Sequence, residues 1–228
     1  MKFSNITLSA LVIITALTLS GCEEESNHPT NLTKFLPSGS NATRYSYKTT
    51  SSHKSLESGV IKGKNQYAEK VITSRDDNCV FMDHYTLLDE EDLSHIPDNA
   101  KKYIVDGKMK GITEQLCADE DKIYYHSSPI LYDKRGDWTM ELHNVLASGE
   151  EKIIESKCHF VSLSKENILE KTREVIHTQC TYEIERDVVN SDDWFIAEGV
   201  GLYKIVMTMD AKDTNSHSVI TMTLGQIE

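Results

Sequence analysis

The sequence lacks the short motifs that would identify a common class of enzyme. Its 228 residues contain no G-x-S-x-G nucleophile elbow and neither of the K-T-G and S-D-N elements. Two S-x-x-K matches begin at Ser51 and Ser162, but without those companion elements they do not indicate a penicillin-recognising enzyme. No phosphate-binding or dinucleotide-binding glycine pattern is present, and the acidic clusters do not have the spacing of a calcium loop. The sequence therefore offers no recognisable catalytic set.

Basic charge is also scarce. The chain has 24 lysines and arginines against 36 aspartates and glutamates, which gives a formal net charge of −12 at neutral pH. A negative surface repels the phosphates of nucleic acids and anionic lipid headgroups, so we expect neither to dock on the protein's surface. A basic protein or peptide, or a cation, fits this charge better as a partner, but the interpretation that we favour is that the acidic surface keeps the protein soluble.

The only pronounced apolar run lies near the N-terminus and is short for a membrane span. It covers residues 6–19 and is interrupted by Thr7, Thr15 and Thr18. Preceded by Lys2 and followed by small residues, this run has the pattern of a secretory signal peptide.

The end of that run is more specific. Leu19-Ser20-Gly21-Cys22 resembles the lipobox of bacterial lipoproteins. The resemblance implies that residues 1–21 are removed as a signal peptide and that Cys22 is lipidated, which anchors the protein to a membrane of the cell envelope. Glu23 follows, where aspartate is the usual retention signal for the inner membrane in enteric-type bacteria. The resemblance therefore favours the outer membrane over the inner membrane.

After the lipobox the composition predicts a tether and then one domain. Residues 22–43 are mostly polar, contain Pro29, Pro37 and Gly39, and show neither helical nor strand periodicity. Such a segment is typical of a flexible linker. Residues 44–228 are long enough to bury a substantial core, and we interpret them as a single globular domain.

The domain is predicted to be mainly β. Apolar and polar residues alternate around Tyr45 and Tyr47 and again in several short runs, and Asp106-Gly107 is a favoured hairpin turn. Helical signals are thin, with short helices expected only within residues 88–103 and 165–173. We expect an antiparallel curved sheet, or an open or half β-barrel, with a few short helices.

Four cysteines remain after Cys22, and in an oxidising compartment they predict two disulfides. Three pairings are open to them. The strand pattern favours the neighbouring ones, Cys79 with Cys117 and Cys158 with Cys180. Alternation from Ile176 to Ile184 predicts a strand that would place Cys180 opposite Cys158 in an antiparallel hairpin.

Two histidines flank the second predicted disulfide. His159 and His177 would lie diagonally on the face away from Cys158 and Cys180. Two thiols and two imidazoles are the ligands of many zinc sites, but adjacent residues of a strand point to opposite faces. We therefore favour a plain disulfide with surface histidines, with no cofactor, and keep the two histidines as weak metal candidates.

The most distinctive segment runs from Trp194 to Lys204 and reads WFIAEGVGLYK. It is similar to a W-x-x-A-x-G-V-G-x-x-K segment of largely uncharacterised bacterial envelope lipoproteins. In an extended strand, Ala197, Gly199 and Gly201 would form a strip without bulky side chains. We expect the protein's own side chains to cover this strip, with a ligand groove as the alternative.

These features predict a membrane-anchored envelope lipoprotein that acts as a non-catalytic binding or accessory protein. The first alternative is an immunity or inhibitor lipoprotein whose acidic surface binds a basic toxin or hydrolase. The second is a metal-dependent envelope enzyme that uses His159 and His177.

Overall fold

The fold is taken from a computed structural model. It describes residues 28–55, 61–89, 93–94, 96–98, 100–126, 129–145, 151–185, 188–211 and 216–228. The predicted signal peptide and Cys22 lie outside these residues. Within the described ranges, no helix has the length and apolar character that crossing a membrane requires.

The described residues form thirteen strands. The strands are β1 (Arg44–Ser55), β2 (Ile61–Arg75), β3 (Cys79–Leu87), β4 (Ile104–Val105), β5 (Lys108–Ala118), β6 (Lys122–Tyr125), β7 (Ile130–Asp133), β8 (Trp138–Val145), β9 (Glu151–Ile168), β10 (Lys171–Glu185), β11 (Val188–Ala197), β12 (Gly201–Ala211) and β13 (Ser216–Ile227). All of the described strand pairs are antiparallel. The predicted mainly β class is confirmed.

The strands form one sheet made of two meanders. Its order is β7-β6-β5-β3-β2-β1-β13-β12-β11-β10-β9-β8, with β4 paired to β5 outside this path. We call β1–β7 the first half and β8–β13 the second half. The two halves join where β1 pairs with β13, so the strands nearest the two ends of the chain lie in the middle of the sheet.

The sheet curls until its two edges come close together. Its edge strands β7 and β8 follow one another in the chain and are separated only by residues 134–137. Near this junction the Trp138 Nε1 atom donates to the Ile130 carbonyl at 3.1 Å, and Thr178 Oγ1 donates to the Leu131 carbonyl at 3.0 Å. The predicted curved sheet is thus a nearly closed, barrel-like sheet with a concave interior.

Both predicted disulfides link neighbouring strands. Cys79 on β3 bonds to Cys117 on β5, and Cys158 on β9 bonds to Cys180 on β10. In each case the two cysteines are direct partners in the strand register. The favoured pairings are therefore confirmed.

One of the two predicted helical stretches is wrong. Residues 165–173 form the β9–β10 hairpin instead of a helix, because strand alternation continues to the buried Ile168 and resumes at the buried Val175. Leu169 and Glu170 make the turn with φ values of 49° and 64°. The described residues include two complete 3₁₀ helices, Thr33–Phe35 and Lys101–Tyr103, and the second lies within the other predicted helical stretch.

Residues 28–43 pack against the sheet, which differs from the flexible tether that their composition predicts. Leu32, Phe35 and Leu36 belong to the hydrophobic core, and Phe35 is 0% exposed. The backbone is also fixed, because the Ser38 amide donates to the Gly199 carbonyl at 2.9 Å. Folded structure therefore begins by residue 28, before the predicted boundary at residue 44.

Candidate binding cavity

A cavity of about 400 Å³ lies inside the curved sheet, between its two halves. Its volume is in the range of small-molecule sites, about 300–1,000 Å³. It is lined by side chains from both halves: Lys70, His84, Thr113, Glu114, Gln115, Tyr125, Pro129 and Leu131 from the first, and Asp192, Trp194, Leu202, Ile205, Met207 and Met222 from the second.

The second half supplies most of the apolar wall. Trp194 on β11 pairs with Ile205 on β12, which in turn pairs with Met222 on β13, so the three residues form a row across the sheet. Ile205 and Met222 are only partly buried. An apolar surface that stays accessible inside a folded domain is a feature of ligand sites.

The first half supplies a polar cluster centred on Lys70. Its Nζ atom lies 2.5 Å from Glu114 Oε2, donates to the Tyr125 hydroxyl at 3.3 Å, and sits 5.7 Å from the centre of the Tyr47 ring. His84 Nδ1 is 3.4 Å from Glu114 Oε1. Lys70 is only 6% exposed, and a buried ammonium needs such partners to remain charged.

The pKa values of this cluster keep the pair ionised. Burial alone would raise the pKa of Glu114, but the hydrogen bond from His84 and the charge of Lys70 lower it to about 2. Burial likewise opposes the charge on Lys70, yet the neighbouring Tyr125 hydroxyl and Glu114 carboxylate hold its pKa above the ordinary value. The Lys70 charge is therefore already neutralised by Glu114 within the protein.

The carboxyl group of Asp192 on the opposite wall has no such partner. Asp192 is 9% exposed, and its Oδ1 atom has no hydrogen-bond partner among the described residues. Burial, helped by the nearby charge of Asp193, raises the pKa of Asp192 to about 6 despite a hydrogen bond from Tyr182. Both side-chain polar atoms of Asn190, two residues earlier on the same face of β11, are also buried without a described partner.

The predicted strip of Ala197, Gly199 and Gly201 is not part of an extended strand. β11 ends at Ala197, residues 198–200 form a turn, and Gly199 and Gly201 have φ values of 69° and 78°. A Cβ atom added at Gly201 would lie 3.0 Å from Leu116 and 3.1 Å from Pro37, and one added at Gly199 would lie 3.1 Å from Arg173. The protein's own side chains therefore pack against Gly199 and Gly201, and Ala197 is 0% exposed.

His159 and His177 are not brought together as a metal site. His159 pairs with Gln179, but a register shift between His177 and Thr178 pairs His177 with Ser162. His177 Nε2 lies 2.8 Å from Asp193 Oδ1, and its ring stacks on Phe195 at a centroid distance of 4.4 Å. The described residues contain no group of three or more potential metal ligands.

Sequence reasoning missed the polar residues that line the cavity. A signal was nevertheless present, because Lys70 lies two residues before the buried Ile72 and Asp192 lies two residues before the buried Trp194. A charged residue in phase with the apolar face of a strand points into the interior. Neither residue belongs to a known motif, so motif searching alone could not find them.

Comparison with known proteins gives little guidance. No family model matches the chain, and no curated protein matches it. A crystal structure at 2.70 Å of a protein from Parabacteroides distasonis ATCC 8503, whose assignment as a lipoprotein is itself provisional, aligns with a TM-score of 0.43 and 9% sequence identity. The alignment covers 87% of this chain and 100% of that chain. A likeness at this level establishes neither a shared fold nor a shared function.

Proposed function

We propose that this protein binds a small, mostly apolar molecule inside its curved sheet and does so as a lipid-anchored protein of the bacterial cell envelope. The observation that carries the binding role is the cavity of about 400 Å³ between the two halves of the sheet. Its apolar wall and few polar groups match the usual make-up of a small-molecule site.

Binding is tested with the uncharged, solvent-sensitive dye Nile red. We expect a saturable rise in dye fluorescence that the variant Ile205→Trp abolishes, because Ile205 lines the cavity and a larger ring fills it. Val206→Trp is the matched control, since the next residue of β12 points to the opposite face of the sheet. Absence of saturable binding, or equal binding by both variants, would contradict the proposal.

The anchoring role is supported by Leu19-Ser20-Gly21-Cys22 and by the two disulfides, since disulfides persist mainly in oxidising compartments such as the periplasm. We propose the outer membrane as the destination and an envelope component or a basic protein as the macromolecular partner. Mass spectrometry of membrane-extracted protein is expected to find an acylated N-terminal Cys22. The variant Cys22→Ser should lose the acyl groups and leave the membrane fraction. An unmodified, uncleaved wild-type chain would contradict this proposal.

A further inference from the structure

The cavity presents an unbalanced charge to its occupant. Lys70 and Glu114 neutralise each other on the first wall, which leaves the Asp192 carboxyl group without a cationic partner among the described residues. Asp192 lines the cavity beside Trp194 and Met207. Its Oδ1 atom is buried without a hydrogen-bond donor, and an unsatisfied buried acceptor is costly and calls for an explanation.

We propose that the cavity binds a cationic amphiphile, a molecule whose protonated amine donates to Asp192 and whose apolar body lies against Trp194, Ile205 and Met222. This inference rests on the proposed binding function and adds the chemical class of the ligand.

The register of the second half places the two parts of this site together. Asp192 pairs with Met207 on β12 and with Cys180 on β10, and Trp194 lies two residues further along the same face of β11. The row formed by Trp194, Ile205 and Met222 therefore starts beside the carboxyl group. A ligand with an amine at one end and a hydrocarbon at the other can contact both at once.

Charge separates this ligand class from the alternatives. A ligand carboxylate would face Asp192 without gaining Lys70, whose ammonium is already held by Glu114 and Tyr125. An alcohol can donate one hydrogen bond to Asp192 but does not neutralise it. A cation offsets more of the loss of solvation that raises the pKa of Asp192 than a neutral donor does, because a charge-assisted hydrogen bond is stronger than a neutral one. The net charge of −12 favours a cation further.

The test compares three ligands with ten-carbon chains, decylamine, decanol and decanoate, as competitors of Nile red. Each ligand is used below the concentration at which it forms micelles or separates from solution. The chain from Glu23 to Glu228 contains every residue that the structure describes, and it is used so that no acyl group competes for the cavity. We expect decylamine to bind about ten- to a hundredfold more tightly than decanol, and decanoate to bind most weakly.

Two variants that each remove one negative charge show whether the preference for decylamine over decanol depends on Asp192. Asp192→Asn should remove the preference for the amine, so that decylamine and decanol bind this variant with similar affinity, and a cooperative urea unfolding transition shows that the variant is folded. Asp193→Asn is the matched control, because Asp193 is on the outer face, where its carboxylate contacts His177 and Gln179. Equal losses in both variants would assign the preference to overall charge and overturn the proposal.

The wild-type protein gives an independent readout if Asp192→Asn does not fold. The difference in amide NMR shifts between the decylamine and decanol complexes should centre on Asp192 and its strand partners Cys180 and Met207. Equal affinity for the two ligands, or shift differences centred elsewhere, would overturn the amine proposal while leaving the binding function intact. Failure of Nile red and all three ligands to bind would instead contradict the proposed function itself.

Discussion

At the scale of single residues, two carboxyl groups on opposite walls of the cavity behave in opposite ways. Glu114 is partly buried beside His84 and Lys70, and the resulting pKa of about 2 means that its ionised form stabilises the fold, with this contribution lost as the pH falls from about 4.5 towards 2. Asp192 is buried without a cation, and its pKa of about 6 means that ionisation destabilises the fold. The ion pair of Glu114 and Lys70 therefore stabilises the fold, whereas the Asp192 carboxyl group is available to a ligand.

The Asp192 carboxyl group predicts a pH-dependent gain in stability when its charge is removed. The folded state binds the Asp192 proton more tightly than the unfolded state, whose pKa is near 3.8. Its contribution to stability therefore falls as the pH rises from about 4 to 6, and the cost of burying the charge is complete above that range. Asp192→Asn should raise the free energy of unfolding by roughly 1–3 kcal/mol at pH 7 relative to wild type, with little gain at pH 4.

Urea unfolding at the two pH values measures this difference. Asp137→Asn serves as the control, because Asp137 is exposed and a surface change of this kind usually alters stability by less than about 0.5 kcal/mol. A gain for Asp192→Asn that is the same at both pH values would show that ionisation of Asp192 is not the cause.

At the scale of elements, the sequence predicts strands well and irregular segments poorly. β10 is predicted from the sequence because apolar and polar residues alternate strictly from Ile176 to Ile184. The Asp106-Gly107 turn is predicted as well, and both residues have positive φ in the tight β4–β5 turn. The β9–β10 hairpin is predicted, but its two-residue turn is not located, because Leu169 and Glu170 are not typical residues for left-handed backbone. Leu32, Phe35 and Leu36 are missed because they follow no strand or helix period, so their burial depends on tertiary contacts that composition does not encode.

The packing of residues 28–43 yields a prediction that separates a core segment from a tether. Phe35 is 0% exposed and lies in the hydrophobic core. Phe35→Ala should therefore lower the free energy of unfolding by about 3–5 kcal/mol, as expected for the loss of a buried aromatic side chain. Urea unfolding of this variant and of Thr30→Ala, which changes an exposed residue of the same segment, provides the comparison. Equal stability of the two variants would show that residues 28–43 act as a tether and contribute little to the core.

At the scale of the whole molecule, the cavity exists only because distant parts of the chain meet. β1 and β13 pair along the middle of the sheet, from Tyr45 with Ile227 to Ser55 with Ser216. The Arg44 and Glu228 backbones also exchange hydrogen bonds at 2.9 and 3.0 Å. Pairing of such distant strands cannot be inferred from local alternation, and contacts of high sequence separation form slowly during folding. The pairing of β1 with β13 therefore joins the two halves of the sheet that supply the walls of the binding site.

This arrangement predicts that the last strand is required for the whole fold. A chain ending at Ala211 lacks β13, so β1 and β12 lose their shared neighbour and expose two rows of unpaired backbone groups. The buried Leu224 and the cavity residue Met222 are lost as well. We expect this chain to show no cooperative unfolding transition and no saturable Nile red binding.

A peptide of residues 216–228 should restore both by filling the gap between β1 and β12, whereas a peptide of the same composition in scrambled order should not. Cooperative unfolding of the shortened chain by itself would show that the two halves fold independently, and the cavity would then not depend on the pairing of β1 with β13.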